Sequence, residues 1–284
     1  MLIDAHAHVD RYGDDLETAL SEIESESILT ISVSMDLPSW KRNREIAARS
    51  RLVVPAFGIH PWKAADYVHR LDEITPAVSS AAVIGEIGLD HHFVEDSATY
   101  PAQQRVLKFF LGAASEQGKI VNLHTKGAEA AVLQLLSSFG VERAIVHWYA
   151  GPPGPFHGLL DRGAFFTIGV GILHSPDART IAKEIPSDLL LTETDNPGGL
   201  EWLTGTPGTP RAINDVVSAL ADVRGVTSED IELSVEANFR RLIEGDARLR
   251  GALATLTGEP SSTGRVTRAG GRAGPTGDEE GGTE

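Results

Sequence analysis

Eight short apolar runs, at residues 1–6, 28–34, 52–60, 82–89, 119–124, 143–148, 164–171 and 189–194, punctuate the chain, each rich in Val, Ile, Leu or Phe. Near-continuous runs of this length suit strands covered on both faces, as in a buried parallel sheet. The stretches between them, among them 16–24, 40–50, 101–117, 127–139 and 180–184, carry helical patterns. Two more helices are expected after the last run, at 210–223, opened by Pro210, and at 228–244, capped by Thr227 or Ser228. Eight strand–helix units without internal repeats predict an α/β protein with a (β/α)8 TIM barrel. An open dinucleotide-binding sheet is disfavoured, because no Gly-x-Gly-x-x-Gly follows the first run.

The barrel is expected to occupy residues 1–257. Residues 258–284 hold eight glycines, two prolines and a single large aliphatic, Val266. So little apolar surface cannot offset the entropy of ordering, and a disordered tail is expected there. No run of about 18 apolar residues exists, so no membrane span is expected. Met1-Leu2-Ile3-Asp4 lacks the basic and apolar regions of a secretory signal, which points to a cytoplasmic protein. The absence of cysteine excludes disulfides, thiolate metal sites and cysteine nucleophiles. A net charge of -15, from 40 acids against 25 bases, repels nucleic acid at long range and disfavours a broad DNA-coating surface. Oligomeric state is left open.

Ionisable residues gather at the ends of these runs. Asp4, His6 and His8 close the first, His60 the third, Glu86 and Asp90 the fourth, His124 the fifth, His147 the sixth, and Glu193 and Asp195 the eighth. The carboxyl ends of barrel strands converge on one mouth, where active sites form. Residues two apart share a strand face, so His6 and His8 can both point inward with Asp4 one layer deeper. Glu193 then lies beneath Asp195, and Asn122 beneath His124. The His-x-His pair can bind one cation, with Asp195 completing the set, while His124 and His147 can bind a second. Glu86 can bridge the two. Imidazole and carboxylate ligands suit Zn, Mn, Ni, Fe or Mg. A lone His-x-His is more often a surface or core pair, and the four tryptophans are more often packing. The joint placement is the stronger signal. Trp62 and Trp148 directly follow site segments, where either can line the mouth and stack on a base.

The motifs Asp4-Ala5-His6-Ala7-His8, Gly58-Ile59-His60-Pro61, Gly85-Glu86-Ile87-Gly88-Leu89-Asp90, His124-Thr125-Lys126, His147-Trp148-Tyr149-Ala150-Gly151 and Glu193-Thr194-Asp195-Asn196-Pro197 resemble, in order, those of the TatD-type metal-dependent hydrolases of the amidohydrolase superfamily. The close, Asn238-Phe239-Arg240-Arg241-Leu242, resembles that family too. The likeness covers roughly residues 1–245. It implies a barrel with a centre of two divalent metal ions (Zn, Mg, Mn or similar) and deoxyribonuclease or phosphodiesterase activity. It also implies metal ligation by His6, His8, Glu86, His124, His147 and Asp195, and contact of His60 and Lys126 with a substrate phosphate. Two departures bear on substrate. The family's His-Cys-Phe-Ser-Gly is here bulkier and more aromatic, and its basic Arg-Gly-x-x-Asn segment after the aspartate is replaced by 198–210, which holds no base before Arg211.

The expected reaction is metal-dependent hydrolysis of a phosphodiester in DNA or a smaller substrate. Glu86 bridges the cations, Asp195 accepts the proton of the attacking water, and Lys126 steadies the phosphate charge. The alternatives are an amide, lactone or other ester hydrolase on the same centre, and a non-catalytic metal-binding regulatory protein.

Overall fold

A computed structural model describes residues 1–246, 249 and 250; the expected tail at 258–284 lies outside the described residues. In chain order the elements are β1 (Leu2–Ala7), α1 (Leu16–Ser25), β2 (Ile28–Ser32), α2 (Leu37–Ala47), β3 (Val53–Phe57), α3 (Ala64–Tyr67), α4 (Leu71–Ser80) and β4 (Val83–Gly88). There follow α5 (Tyr100–Gln117), β5 (Ile120–His124), α6 (Glu129–Phe139), β6 (Ala144–Val146), α7 (Pro153–Asp161), β7 (Phe165–Ile168), α8 (Pro176–Glu184) and β8 (Leu190–Thr192). The chain then adds α9 (Gly198–Thr204), α10 (Ile213–Arg224) and α11 (Ser228–Leu242). Each strand pairs in parallel with the next, in the order β1 to β8. All eight apolar runs form strands, and the architecture is the (β/α)8 barrel.

Helix α5 illustrates how the outer layer is attached. Its buried residues Val106, Leu107, Phe110, Leu111 and Ala114 recur every three or four positions, so one stripe faces the sheet. Fully burying one Phe or Leu stabilises by roughly 1.5–3 kcal/mol, more than the ~1 kcal/mol of a good helix cap. Packing therefore fixes this helix, and Gly118 stops it in a left-handed conformation (φ 60°). Thr227 caps α11 in a reciprocal box with Asp230, and Asn238 Nδ2 ties that helix to the lead-in of β8 through Ser187 O (2.7 Å) and Leu190 O (2.8 Å).

The barrel closes between β8 and β1 largely through side chains. Thr192 Oγ1 donates to Ile3 O (2.5 Å). Asp4 accepts from both the backbone N (3.0 Å) and the Oγ1 (2.6 Å) of Thr194. Just above, Asp195 N donates to His6 O (2.8 Å) and His8 N to Asn196 O (2.9 Å). Asp4, placed one layer below the histidines by strand period, is thus the clasp of the seam. Among the described residues no helix is long and apolar enough to cross a membrane.

Candidate metal centre

Glu86, at the end of β4, stands in the middle of the mouth and is 2% exposed. Its two oxygens face different histidines. Oε2 lies 3.6 Å from His6 Nε2 and 3.4 Å from His8 Nε2. Oε1 lies 2.9 Å from His124 Nδ1, 3.4 Å from His60 Nε2 and 3.5 Å from His147 Nε2. Asp195 Oδ1 joins the first set, 3.6 Å from His6 Nε2 and 3.4 Å from His8 Nε2. Among the described residues, three groups of donor atoms are close enough to share a cation: His6, His8 and Asp195; His6, Glu86 and His147; His60, Glu86 and His124. The first is the set expected from residue spacing. The expected pairing of His124 with His147 is split between the other two groups, because His147 stacks on His6 (centroids 3.8 Å apart) and His124 leans towards His60 (4.7 Å).

Outer partners decide which nitrogen His6, His147 and His124 aim at the centre. Asn122 Nδ2 donates to Ala5 O (2.8 Å), which leaves Asn122 Oδ1 to accept from His6 Nδ1 (2.8 Å). The lone pair of His6 therefore sits on Nε2, which is buried and has no hydrogen-bond partner. Glu193 accepts from Thr167 Oγ1 (2.6 Å) and Trp148 N (3.1 Å) and lies 3.3 Å from His147 Nδ1, so His147 also offers Nε2. Asp90 Oδ2 accepts from Trp62 Nε1 (2.7 Å) and takes the Nε2 proton of His124 (2.9 Å), which turns Nδ1 of that ring towards Glu86. An acceptor behind the ring, as at His6, His147 and His124, is the usual support of a metal-binding histidine, whereas His8 Nδ1 is buried without a hydrogen-bond partner. His60 differs. Its Nδ1 accepts from Trp62 N (3.2 Å), so the neutral ring carries its proton on Nε2 and presents a donor to the centre.

Charge follows the same division. Burial raises Asp195 and Glu193 to about 7, and Asp4 likewise to about 7. Burial also works to raise Glu86, yet His60, His6 and His124 around it hold its carboxyl well below the usual range. Burial lowers His6 to about 3. Lone pairs of imidazole and carboxylate thus converge in a buried space, with a partnerless nitrogen among them. A divalent cation fits this donor set, which is of borderline to hard character.

Glycines bring the strand ends this close. A Cβ on Gly58 would overlap the backbone carbonyl of Glu86, and one on Gly88 would overlap that of His124. These are glycines of the 58–61 and 85–90 motifs. Gly58→Ala should cost about 1–3 kcal/mol from overpacking, lowering Tm by roughly 2–12 °C, with metal content falling as Glu86 is displaced. Unchanged melting and metal content would show that β3 yields without disturbing the centre. Two non-glycine residues adopt left-handed backbone beside the site, Trp148 (φ 39°) and Asp195 (φ 55°). Such conformations cost of order 1–3 kcal/mol and cluster at functional sites. At Asp195 this one turns the carboxylate back over β1.

The centre opens into a cavity of about 560 Å³ whose walls include Lys126, Trp148, Trp62 and His92. Lys126 Nζ donates to Trp148 O (2.5 Å), and burial lowers its pKa. Arg11, Phe93 and Trp202 also line this cavity and were not singled out as site residues by the sequence. Phe93 sits in the loop after β4 and Arg11 in the short 3-10 helix Val9–Asp15 after β1, where position at the barrel mouth is the available signal. Trp202 sits on α9, within the departure at 198–210.

The family model described as "TatD related DNase" matches residues 3–244 of this chain. The metal-dependent hydrolase YabD of Bacillus subtilis, described as uncharacterized, is 28% identical over 85% of this chain and 98% of its own. The human deoxyribonuclease TATDN3 is 24% identical over 81% of this chain and 90% of its own. The crystal structure of YJJV, a TatD homolog from Escherichia coli, superposes with a TM-score of 0.77 at 23% identity, covering 85% of this chain and 97% of that one.

Proposed function

Because the chain belongs to the family of TatD-related DNases, and so to a family of metal-dependent hydrolases, we propose that it cleaves phosphodiester bonds, in DNA or a smaller nucleotide substrate. The observation that carries this reading is the division of donors by Glu86. Its Oε2 faces His6 and His8 with Asp195 beside them, and its Oε1 faces His124 and His147. We assign His6, His8, Glu86, His124, His147 and Asp195 as the ligands of two divalent cations. When bound, such cations polarise the ester oxygens and acidify water at neutral pH.

The remaining work falls to the chain. Asp195, with a side chain 21% exposed, is the most exposed carboxylate of the centre, whereas Glu86, Glu193 and Asp90 are at most 2% exposed. It is therefore placed to take the proton of the attacking water and release it to solvent. His60 directs its Nε2 proton inward, where a phosphate oxygen can accept it. Lys126 supplies a cation at the wall, and burial strengthens its attraction for a single phosphate.

A panel of a bis-aryl phosphodiester, single-stranded DNA and a lactone, with Mg, Mn and Zn supplied in turn, tests the reading. Phosphodiester cleavage is expected, abolished by chelation and restored by metal. Cleavage of the lactone alone would transfer the assignment to ester hydrolysis. Lys126→Ala should lower kcat/KM for phosphodiesters about 10- to 100-fold, the worth of a charge-assisted hydrogen bond, with metal content unchanged. An equal loss on the neutral lactone would remove Lys126 from the phosphate.

A further inference from the structure

Five large apolar side chains are exposed among the described residues, and three stand in one row at the rim of the cavity: Trp62 (52%), Phe93 (42%) and Trp202 (66%). Ring centroids are 6.4 Å apart between Trp62 and Phe93 and 5.3 Å between Phe93 and Trp202, each pair edge to face. The other two, Val226 and Leu233, do not line the cavity. A contiguous exposed strip of this kind marks a binding surface rather than chance exposure.

Two members of the row are tied to the candidate metal centre. Trp62 Nε1 donates to Asp90 Oδ2 (2.7 Å), and Phe93 N donates to Asp90 Oδ1 (2.7 Å). Asp90 is in turn clamped by Gln103, which accepts from its N (2.8 Å) and donates to its O (3.1 Å). The same carboxylate holds His124. The Trp62 ring, the Phe93 backbone and the His124 imidazole thus share a single anchor. Rings fixed in advance lose little entropy when a ligand covers them.

The chemistry of the ligand follows from what surrounds the row. It is entirely aromatic, which suits a flat ring more than an alkyl chain. Among the described residues, the cavity carries only two permanent cations, Arg11 and Lys126, beside the acids Glu86, Glu129 and Asp195. That balance accommodates one phosphate and not a run of them. On the premise that the centre cleaves phosphodiesters, the geometry points to Trp62, Phe93 and Trp202 as a stacking subsite for an unpaired nucleobase next to the scissile phosphate. Recognition then rests on the base more than on the backbone charge, and a base still stacked within a duplex does not reach it. The replacement of a basic segment by α9 with its Trp202 is the sequence expression of this trade.

Binding to the metal-loaded protein separates the subsite from the reaction. Stacking one base on aromatic side chains changes affinity about 5- to 150-fold. Deoxyadenosine 5′-monophosphate should therefore bind at least about 5-fold tighter than deoxyribose 5-phosphate by calorimetry, and quench tryptophan fluorescence. Trp202→Ala and Phe93→Ala should each erase most of that preference while leaving deoxyribose 5-phosphate binding within about 2-fold, since neither touches the phosphate cations. Equal affinity for the two ligands, or no binding of the nucleotide, overturns the subsite. Phosphodiester cleavage with no preference for the base leaves the hydrolase reading standing without it. A base preference in a protein that cleaves no phosphodiester overturns the hydrolase reading instead.

Discussion

Glu86→Gln should strip the centre of about half its metal and nearly all its turnover. Glutamine keeps the volume and the carbonyl oxygen, so packing between β3, β4 and β5 survives. It replaces the second oxygen by an NH2, which repels a cation and donates to whichever nitrogen it faces. Because Oε2 serves His6 and His8 while Oε1 serves His124, His60 and His147, only one of the two histidine sets retains an oxygen. Losing a partner merely behind a metal ligand costs 10–100-fold in metal affinity, so losing a shared ligand should cost at least about 100-fold at the emptied position. Metal content after desalting, measured by elemental analysis, should fall towards half the wild-type value. Full metal content in the variant would show that Glu86 is not shared. Its melting temperature in chelator should not fall, since no buried charge is left unpaired.

The second large effect is expected at Asp195. Asp195→Asn should lower kcat by about 10²–10⁴-fold, the usual worth of a proton acceptor, while the amide oxygen keeps most of the metal. The substitution is clean for a backbone reason. Asp195 has φ 55°, a region in which Asn is among the best tolerated non-glycine residues. Alanine there would add conformational strain to the loss of the carboxylate, so the two variants should differ in Tm, with Asn the more stable. Retained kcat together with lost metal would make Asp195 a ligand and nothing more.

The strands were legible because a barrel strand is buried on both faces and so writes itself as an unbroken apolar run. The candidate site was legible for a related reason: a charged or imidazole side chain placed directly after such a run has few places to go but the mouth. Period two also placed Asp4, Asn122 and Glu193 below the mouth. What the sequence withheld was their hydrogen bonding. Asn122 was placed under His124, its neighbour two residues on, yet its amide reaches across the barrel to His6. The tie from Asp90 to both His124 and Trp62, and the edge-to-face row from Trp62 to Trp202, join loops that follow β3, β4 and β8. Spacing along one strand carries no information about distances between loops. The two helices α3 and α4, with Pro76 inside the second, blur the helical pattern between β3 and β4.

The seam between β1 and β8 sets the order in which the donor atoms of this site come together. His6 and His8 are synthesised well before Asp195 and before Thr192 and Thr194, whose clasp on Ile3 and Asp4 follows only then. A nascent chain that has folded its first five or six strands presents histidines without the carboxylate that completes their set. His6 and His8 meet Asp195 only when the barrel shuts, so this group of donor atoms is complete only after β8 is in place. A chain that ends before β8 lacks the Asp195 carboxylate of that group.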